Sequence, residues 1–411
     1  MAHCCSTGPG LQSVEQALEL LLAAAKPLAV PEWVPLADAL GRVAAAPVVS
    51  QVQVPPWDNS AMDGYAVRCA DLTAPGQTLP ISQRIPAGYA GAPLALGSAA
   101  RIFTGAPIPA GADAVVMQEV CVQDGDRVQL QELPSLGAEI RRAGEDIQLG
   151  QAVIAAGTRL APQHLGLAAS VGAAAIQVYR RPRVAVFSSG DELVPPGQPL
   201  GPGQIYNSNQ YTLAGLIQTL GCDLIPLGSV PDNLAATQEA LARGAAQADL
   251  VLASGGVSVG DEDHVRPAVE RLGRLELWRI AMRPGKPLAF GHIDAIPFIG
   301  FPGNPVSVFV AFCLFARPFL LKLQGVANPG PAVQRGRAAF DWPRPDRRRE
   351  YARARWSQDD QGQGWIQVHP NRSSGVLSSV TWADGLAVLP AEQPIQQGDP
   401  LDFIPFRELL G

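Results

Sequence analysis

The 411-residue sequence predicts a multidomain α/β protein. It has a parallel α/β three-layer sheet domain, a β-rich inserted domain, a mixed α/β N-terminal domain and a small C-terminal all-β domain. Three observations carry this. From Arg183 onward apolar strand-like runs alternate with helical ones, the pattern of βαβ units that place helices on both faces of a parallel sheet. Between 48 and about 133 the texture changes to short runs punctuated by Pro and Gly. After about Gly325 short strands joined by polar turns take over. The domains so read are 1–47 with 140–180, 48–139, 181–326 and 327–411. That agrees with a length giving two to four domains at about 150 residues each.

Residues 13–25 form an amphipathic helix. Ser13 caps it, Gln16 completes a capping box, and Val14, Ala17, Leu18, Leu21, Leu22 and Ala25 make one face. A shorter helix is expected over 36–45. The β-rich stretch carries the turn-forming strings PPW, IPAG, TGAPIPAGAD and QDGDR, and a helix returns at 162–171 after GEDIQLG. The segments flanking the β-rich domain are therefore expected to make one domain that it interrupts. In the sheet domain VAVFS, DLIPLG, DLVLAS, LELWRIAM and PFIGF read as strands. Helices are expected at 208–220, 234–247, 265–272 and 306–323, the last kinked by Pro318. Asn304 is suited to cap that helix and Pro305 to open its first turn. Pro329-Gly330-Pro331 reads as the linker to the tail, where REYARARW, GWIQVHP and GLAVLP are strands.

Composition narrows the function. Apolar residues make up 47% and charged residues 17%, which is enough for several cores and excludes a disordered chain. The net charge of −6 argues against a general nucleic-acid binder, yet leaves an anionic small molecule open, because local field outweighs net charge. No uninterrupted apolar stretch approaches a membrane span, and the N-terminus lacks the basic-then-apolar pattern of a secretory signal. Cys4, Cys5, Cys69, Cys121, Cys222 and Cys313 form no C-x-x-C pair, so a reducing, cytoplasmic compartment is expected. No role is assigned to Cys4 and Cys5.

In an open parallel sheet, ligands bind beyond the C-terminal ends of the strands. Three loops leave such ends: Ser188-Ser189-Gly190-Asp191-Glu192, the segment from Ser254-Gly255-Gly256 through Ser258 and Asp263 to His264, and Gly300-Phe301-Pro302-Gly303-Asn304-Pro305. Glycines allow a ligand close to the backbone, and a helix N-terminus attracts anions. Ser254 and Ser258 add hydroxyl donors, and Glu192, Asp232, Asp261 and Asp263 are able to hold Mg²⁺ beside a phosphate. Each loop alone is ordinary turn chemistry; three at one sheet end favour a site. None matches a P-loop or a dinucleotide fingerprint. Arg279, Arg283 and Lys286 place three cations within eight residues, and on one alternating strand the two arginines share a face. His164, His264 and His369 have no metal-ligand spacing.

These motifs together resemble a known family. PPWDNSAMDGYAVR, RIFTGAPIPAGADAVVMQE, RRAGEDI, VAVFSSGDELV, GQIYNSN, LASGGVSVGDED, MRPGKPLAFG and GFPGNPVS are similar to those of the MoeA family, the molybdopterin molybdenumtransferases, whose relatives include a domain of gephyrin. The resemblance implies an elongated homodimer of four-domain subunits, with a molybdopterin-binding-type sheet domain and a barrel-like C-terminal domain. It implies a reaction of adenylylated molybdopterin with molybdate, assisted by Mg²⁺, that releases AMP and forms the molybdenum cofactor. A molybdopterin adenylyltransferase and apo-molybdoenzymes would be transient partners. By motif, Asp63 and Thr104 would face the cleft from the β-rich domain, across the dimer, and Asp146 matches another acid of the pattern. Glu192, Asp232 and Asp263 match the acids tied to substrate handling and metal binding. Ser254, Gly255, Gly256 and Ser258 would cradle substrate, Arg279, Arg283 and Lys286 would hold phosphate and molybdate, and Pro302 and Pro305 would shape the adjoining loop. Arg353 and Ser379 match positions able to touch molybdate. The family often carries Lys where Arg279 and sometimes Arg283 stand, and arginine changes the donor geometry. The alternatives are a tungstate-inserting paralogue, a non-catalytic pterin-binding or scaffold protein, and a protein sharing only the sheet domain.

Overall fold

Along Arg183–Ser189 successive side chains point to opposite faces, and both faces are apolar, so this strand must be covered twice. Val184 and Val186 enter one core, while Ala185 and Phe187 enter the other. The computed structural model describes residues 11–28, 30–257 and 263–410, without the side chains of Leu277 and Trp278. Cys4, Cys5, Ser258 and Asp261 lie outside the described residues.

The central sheet has six strands in the order Asp223–Val230, Arg183–Ser189, Leu250–Ser254, Ile296–Phe301, Pro287–Ile293, Gly273–Arg279. The first four are parallel. The last two run antiparallel to their neighbours and add an antiparallel edge to the expected parallel sheet. The missed strand is Pro287–Ile293, hidden in sequence behind Pro284-Gly285-Lys286. Asp294, at φ 52, turns it straight into Ile296–Phe301, so no crossover helix is needed. Helices Val14–Ala24, Ser208–Thr219 and Pro305–Leu323 cover one face of the sheet, and Leu234–Gln247 and Val265–Leu272 cover the other.

The first helix is capped as its sequence implies: the Gln16 amide donates to Ser13 Oγ at 3.1 Å, and the Ser13 amide donates to Gln16 Oε1 at 3.0 Å. It packs on the sheet domain's helical layer, while the rest of the N-terminal segment packs elsewhere. Pro31–Pro35 pairs with Ala175–Tyr179, and Val48–Val49 pairs with Ala152–Ile154. The helix expected over 36–45 is only the 3₁₀ turn Leu36–Asp38. Gly41 at φ 74 ends it, and Val43 and Ala44 are drawn into bridges with Arg159 and Val178. Between Asn59–Ser60 and Ile140–Arg141, which pair with each other, a second six-stranded sheet is inserted.

Pro305–Leu323 is 94% buried across its most apolar stretch, so a helix long and apolar enough to cross a membrane serves here as the core of the sheet domain. Its hydrogen bonding loosens to a π turn at Phe312–Ala316 just before Pro318. That turn accommodates a proline that cannot donate to an α-helical ladder.

In the tail, Arg349–Gln358, Gly364–Val368, Gln334–Ala338, Pro400–Pro405 and Gly385–Leu389 pair in that order, and the last pairs back to the first. They form a closed five-stranded barrel with no free edge. Met282–Arg283 leaves the sheet domain to lie parallel to the start of Arg349–Gln358.

Candidate active site

The three strand-end loops converge on a cavity of about 780 Å³. Ser189 and Glu192 come from the first, Gly255, Gly256 and Asp263 from the second, and Pro302, Gly303 and Asn304 from the third. Asp232 enters from the end of the neighbouring strand. An adjoining lobe of about 500 Å³ is lined by Ser254, Tyr206, Asn209 and Pro305, and shares Ser189, Glu192, Gly255, Gly303 and Asn304 with the first. Both volumes are in the range of small-molecule sites.

Backbone geometry explains the glycines. Gly255 has φ +87, and a Cβ there would stand 2.4 Å from the Ser189 carbonyl oxygen. Gly256 has φ +65 and would press on Val265 at 2.9 Å. Only glycine permits this turn and this closeness between adjacent loops. Asn304 occupies the N-cap position but makes no side-chain capping bond; it faces both lobes instead. Asp232 is aimed by its neighbours. Its Oδ1 accepts from Ser189 Oγ at 2.6 Å, its Oδ2 accepts from the Asp191 amide at 3.2 Å, and its own amide donates to Asp191 Oδ1 at 3.1 Å.

The cations come from two domains. Arg283 and Lys286 belong to the turn that leaves the sheet domain, and Arg348 and Arg372 belong to the barrel. Arg348 and Arg372, with Ser373 and Ser374, were not foreseen. The only sequence signal was the basic run 347–349 and the polar string NRSSG, each of which also suits a solvated turn. The single alternating strand expected for 275–282 breaks after Arg279: Ile280 is buried and the strand that follows joins the barrel. Arg279 is exposed and does not line the cavity, so it does not share a face with Arg283.

Two carboxylates hold the arginines. Asp346 accepts from Arg283 Nη1 at 3.1 Å, and from the Arg348 amide and Nε at 3.0 and 3.2 Å. Burial pushes the Asp346 carboxyl up, but Arg348 and Arg283 outweigh it and hold the group at about 2. Glu350 is 2% exposed and receives Arg372 through both Nε and Nη2.

Arg353 and Ser379 are buried, so neither is placed to touch a ligand in the cavity. Arg353 Nε donates to Ser379 Oγ at 2.9 Å, and its Nη2 donates to the Asn371 and Ser373 carbonyls at 3.0 and 3.3 Å. The pair braces the 371–374 loop from behind. Asp63 and Thr104 meet each other: Asp63 Oδ1 accepts from the Thr104 amide and hydroxyl, both at 2.8 Å. Those bonds draw the Asp63 carboxyl below its ordinary value. Neither residue, nor exposed Asp146, lines this chain's own cavity.

Among the described residues no three His, Cys, Asp or Glu side chains form a protein-only metal cage. The carboxylates of Glu192, Asp232 and Asp263 nevertheless fit a hard divalent ion that takes one or two carboxylates and completes its shell from phosphate oxygens and water.

Comparison with known proteins gives three family-model matches in chain order. The MoeA N-terminal region (domain I and II) matches residues 12–172. A probable molybdopterin binding domain matches 185–322, and the MoeA C-terminal region (domain IV) matches 335–406. A molybdopterin molybdenumtransferase of Haemophilus influenzae is 39% identical over 387 residues, covering 92% of this chain and 95% of that protein. One from Nostoc sp. is 41% identical over 372 residues, covering 87% and 85%. Among solved structures, a molybdopterin biosynthesis moeA protein from Pyrococcus horikoshii superposes with a TM-score of 0.84 at 27% identity, covering 96% of this chain and 100% of that one.

Proposed function

The chain belongs to the MoeA family, and on that premise we propose that it reacts adenylylated molybdopterin with molybdate, releasing AMP and forming the molybdenum cofactor. It is a transferase of molybdenum cofactor biosynthesis. One observation carries the mechanistic reading: a single cavity combines a glycine-built cradle, three carboxylates and a set of cations from two domains. A substrate carrying phosphates and a tetrahedral oxyanion matches that combination.

Gly255 and Gly256 admit the substrate close to the backbone, and Asn304 offers amide donors at a helix N-terminus. Arg283 and Lys286 neutralise molybdate and the adenylate phosphate as charge develops. Ser189 and the Asp191 amide fix the Asp232 carboxylate toward the reacting phosphate. Glu192, Asp232 and Asp263 would hold Mg²⁺, which would help neutralise the phosphate charge. Ser254 and Pro305 shape the adjoining lobe for the organic part of the substrate. We place Asp63, Thr104 and Asp146 in the partner's cavity of a homodimer; that none of them lines this chain's own cavity supports this. Cys69, Cys121, Cys222 and Cys313 are free thiols, in keeping with a cytoplasmic setting. There a molybdopterin adenylyltransferase would supply the substrate and apo-molybdoenzymes would accept the product.

The test is molybdate-dependent AMP release by purified protein, coupled to activation of an apo-molybdoenzyme. Asp232→Asn and Asp263→Asn should each lower turnover about a hundredfold or more with the thermal midpoint retained. Turnover within a few-fold of wild type in both variants would remove the acids from the mechanism. Parallel assays with tungstate decide the oxyanion preference.

A further inference from the structure

We propose that Arg372, carried by the C-terminal barrel, is an oxyanion-binding residue of this cavity, and that the buried Glu350 is its positioning residue. The inference rests on the insertion reading only for the identity of the anion. Arg372 lines the cavity with Arg283, Lys286 and Arg348, yet stands on a surface loop of a different domain. Loop arginines ordinarily wander, because ordering so long a side chain costs rotamer entropy. This one is fixed on two sides. Its guanidinium lies 3.9 Å over the Trp342 ring, and it is paired through two nitrogens with Glu350. A two-point carboxylate pair and an aromatic face leave the remaining guanidinium edge pre-aimed.

Glu350 has more than one partner. Its Oε2 also lies 3.8 Å from Arg283 Nε, and the backbones of Arg283 and Glu350 are register partners where Met282–Arg283 joins the barrel. A carboxylate that is 2% exposed is thus set between a cation of the sheet domain and a cation of the barrel. Taking a charge out of water is costly, and a site built only to attract anions gains nothing from an acid at its back. The arrangement makes sense if Glu350 fixes the spacing of Arg283 and Arg372 across the seam.

This gives an experiment with a distinctive sign. If Glu350 acted only through its charge, removing that charge would tighten anion binding. If it positions Arg372, removing it loosens binding. Equilibrium binding of molybdate and, separately, of AMP to the full-length protein is measured by calorimetry for wild type, Arg372→Gln, Glu350→Gln and the double variant. We expect about tenfold weaker binding of one or both anions in each single variant, and a double variant no weaker than the weaker single one, as for residues acting as a unit. The arm that weakens identifies the anion: molybdate, or the adenylate phosphate. The apparent KM for the matching substrate, molybdate or adenylylated molybdopterin, should rise with kcat nearly unchanged. Unchanged affinity for both anions in Arg372→Gln, tighter binding in Glu350→Gln, or multiplicative losses in the double variant would each overturn the proposal. Arg372 is partly exposed, so Arg372→Gln remains informative if Glu350→Gln fails to fold. Binding is read without turnover. A wild-type protein that never releases AMP, but binds molybdate through Arg372, would refute the insertion reading and leave this inference standing.

Discussion

Asp346 touches an arginine of the sheet domain and one of the barrel, and its titration is a prediction at the scale of the single residue. Its carboxyl is held at about 2, below the ordinary 3.8. A depressed acid stabilises the folded protein above its unfolded value and loses that contribution as pH falls through the folded one. The stability it adds is therefore complete above about pH 4 and fades between about pH 4 and 2. Denaturant midpoints measured across that window should fall less steeply in Asp346→Asn than in wild type. Equal slopes would show that the ion pairs contribute nothing. At this same scale the acids and glycines of the site were legible in sequence, because Asp and Gly at strand ends have local reasons to be there. Arg348 and Arg372 were not: a basic run looks the same whether it faces solvent or a cavity, and only the closure of the barrel against the sheet domain decides. Arg353 was misplaced for the converse reason. Its motif is local, but its burial depends on the strand that carries it and on Ser379 of the short helix Ser378–Trp382.

At the scale of the element, the turn that leaves Leu250–Ser254 is tightly constrained at Gly255 and Gly256. Gly255→Ala should abolish turnover and lower stability by about 1–3 kcal/mol, since an added Cβ meets both a left-handed φ and the Ser189 carbonyl. Turnover assays together with chemical denaturation check both parts, and an active, undiminished variant would show that the two loops can separate freely. Strong periodicity made the long helices and the first parallel strands readable. Where the reading failed, tertiary pairing had overridden local pattern. Leu36–Asp38 is a single turn because its continuation bridges to distant strands. Pro287–Ile293 was not read as a strand, yet it is a buried one because its partner lies immediately downstream. The helix Pro305–Leu323 was expected to kink at Pro318; it accommodates the proline through the π turn at Phe312–Ala316.

At the scale of the whole molecule, the proposed exchange of Asp63 and Thr104 between subunits has a direct test. Asp63→Asn and Asp232→Asn proteins should each be inactive alone. Once subunits exchange at random, half the dimers are mixed and each mixed dimer has one intact site, so about a quarter of wild-type turnover should return. No recovery, with exchange verified by mass, would place Asp63 outside the partner's site. The order of the domains was readable from texture, but the way they share a cavity was not, because the shared strand is two residues long. That strand, Met282–Arg283, has a mechanical meaning. The barrel is attached not only by its linker near 326–333 but also by backbone pairing to a segment more than forty residues upstream. A domain held at two separated points cannot pivot on its linker alone. Any opening of the cavity along this seam must first unzip those amides and part Arg283 from its carboxylates. Gate and latch are thus the same few atoms, and the effort of admitting a substrate is set by the bonds that will later grip it.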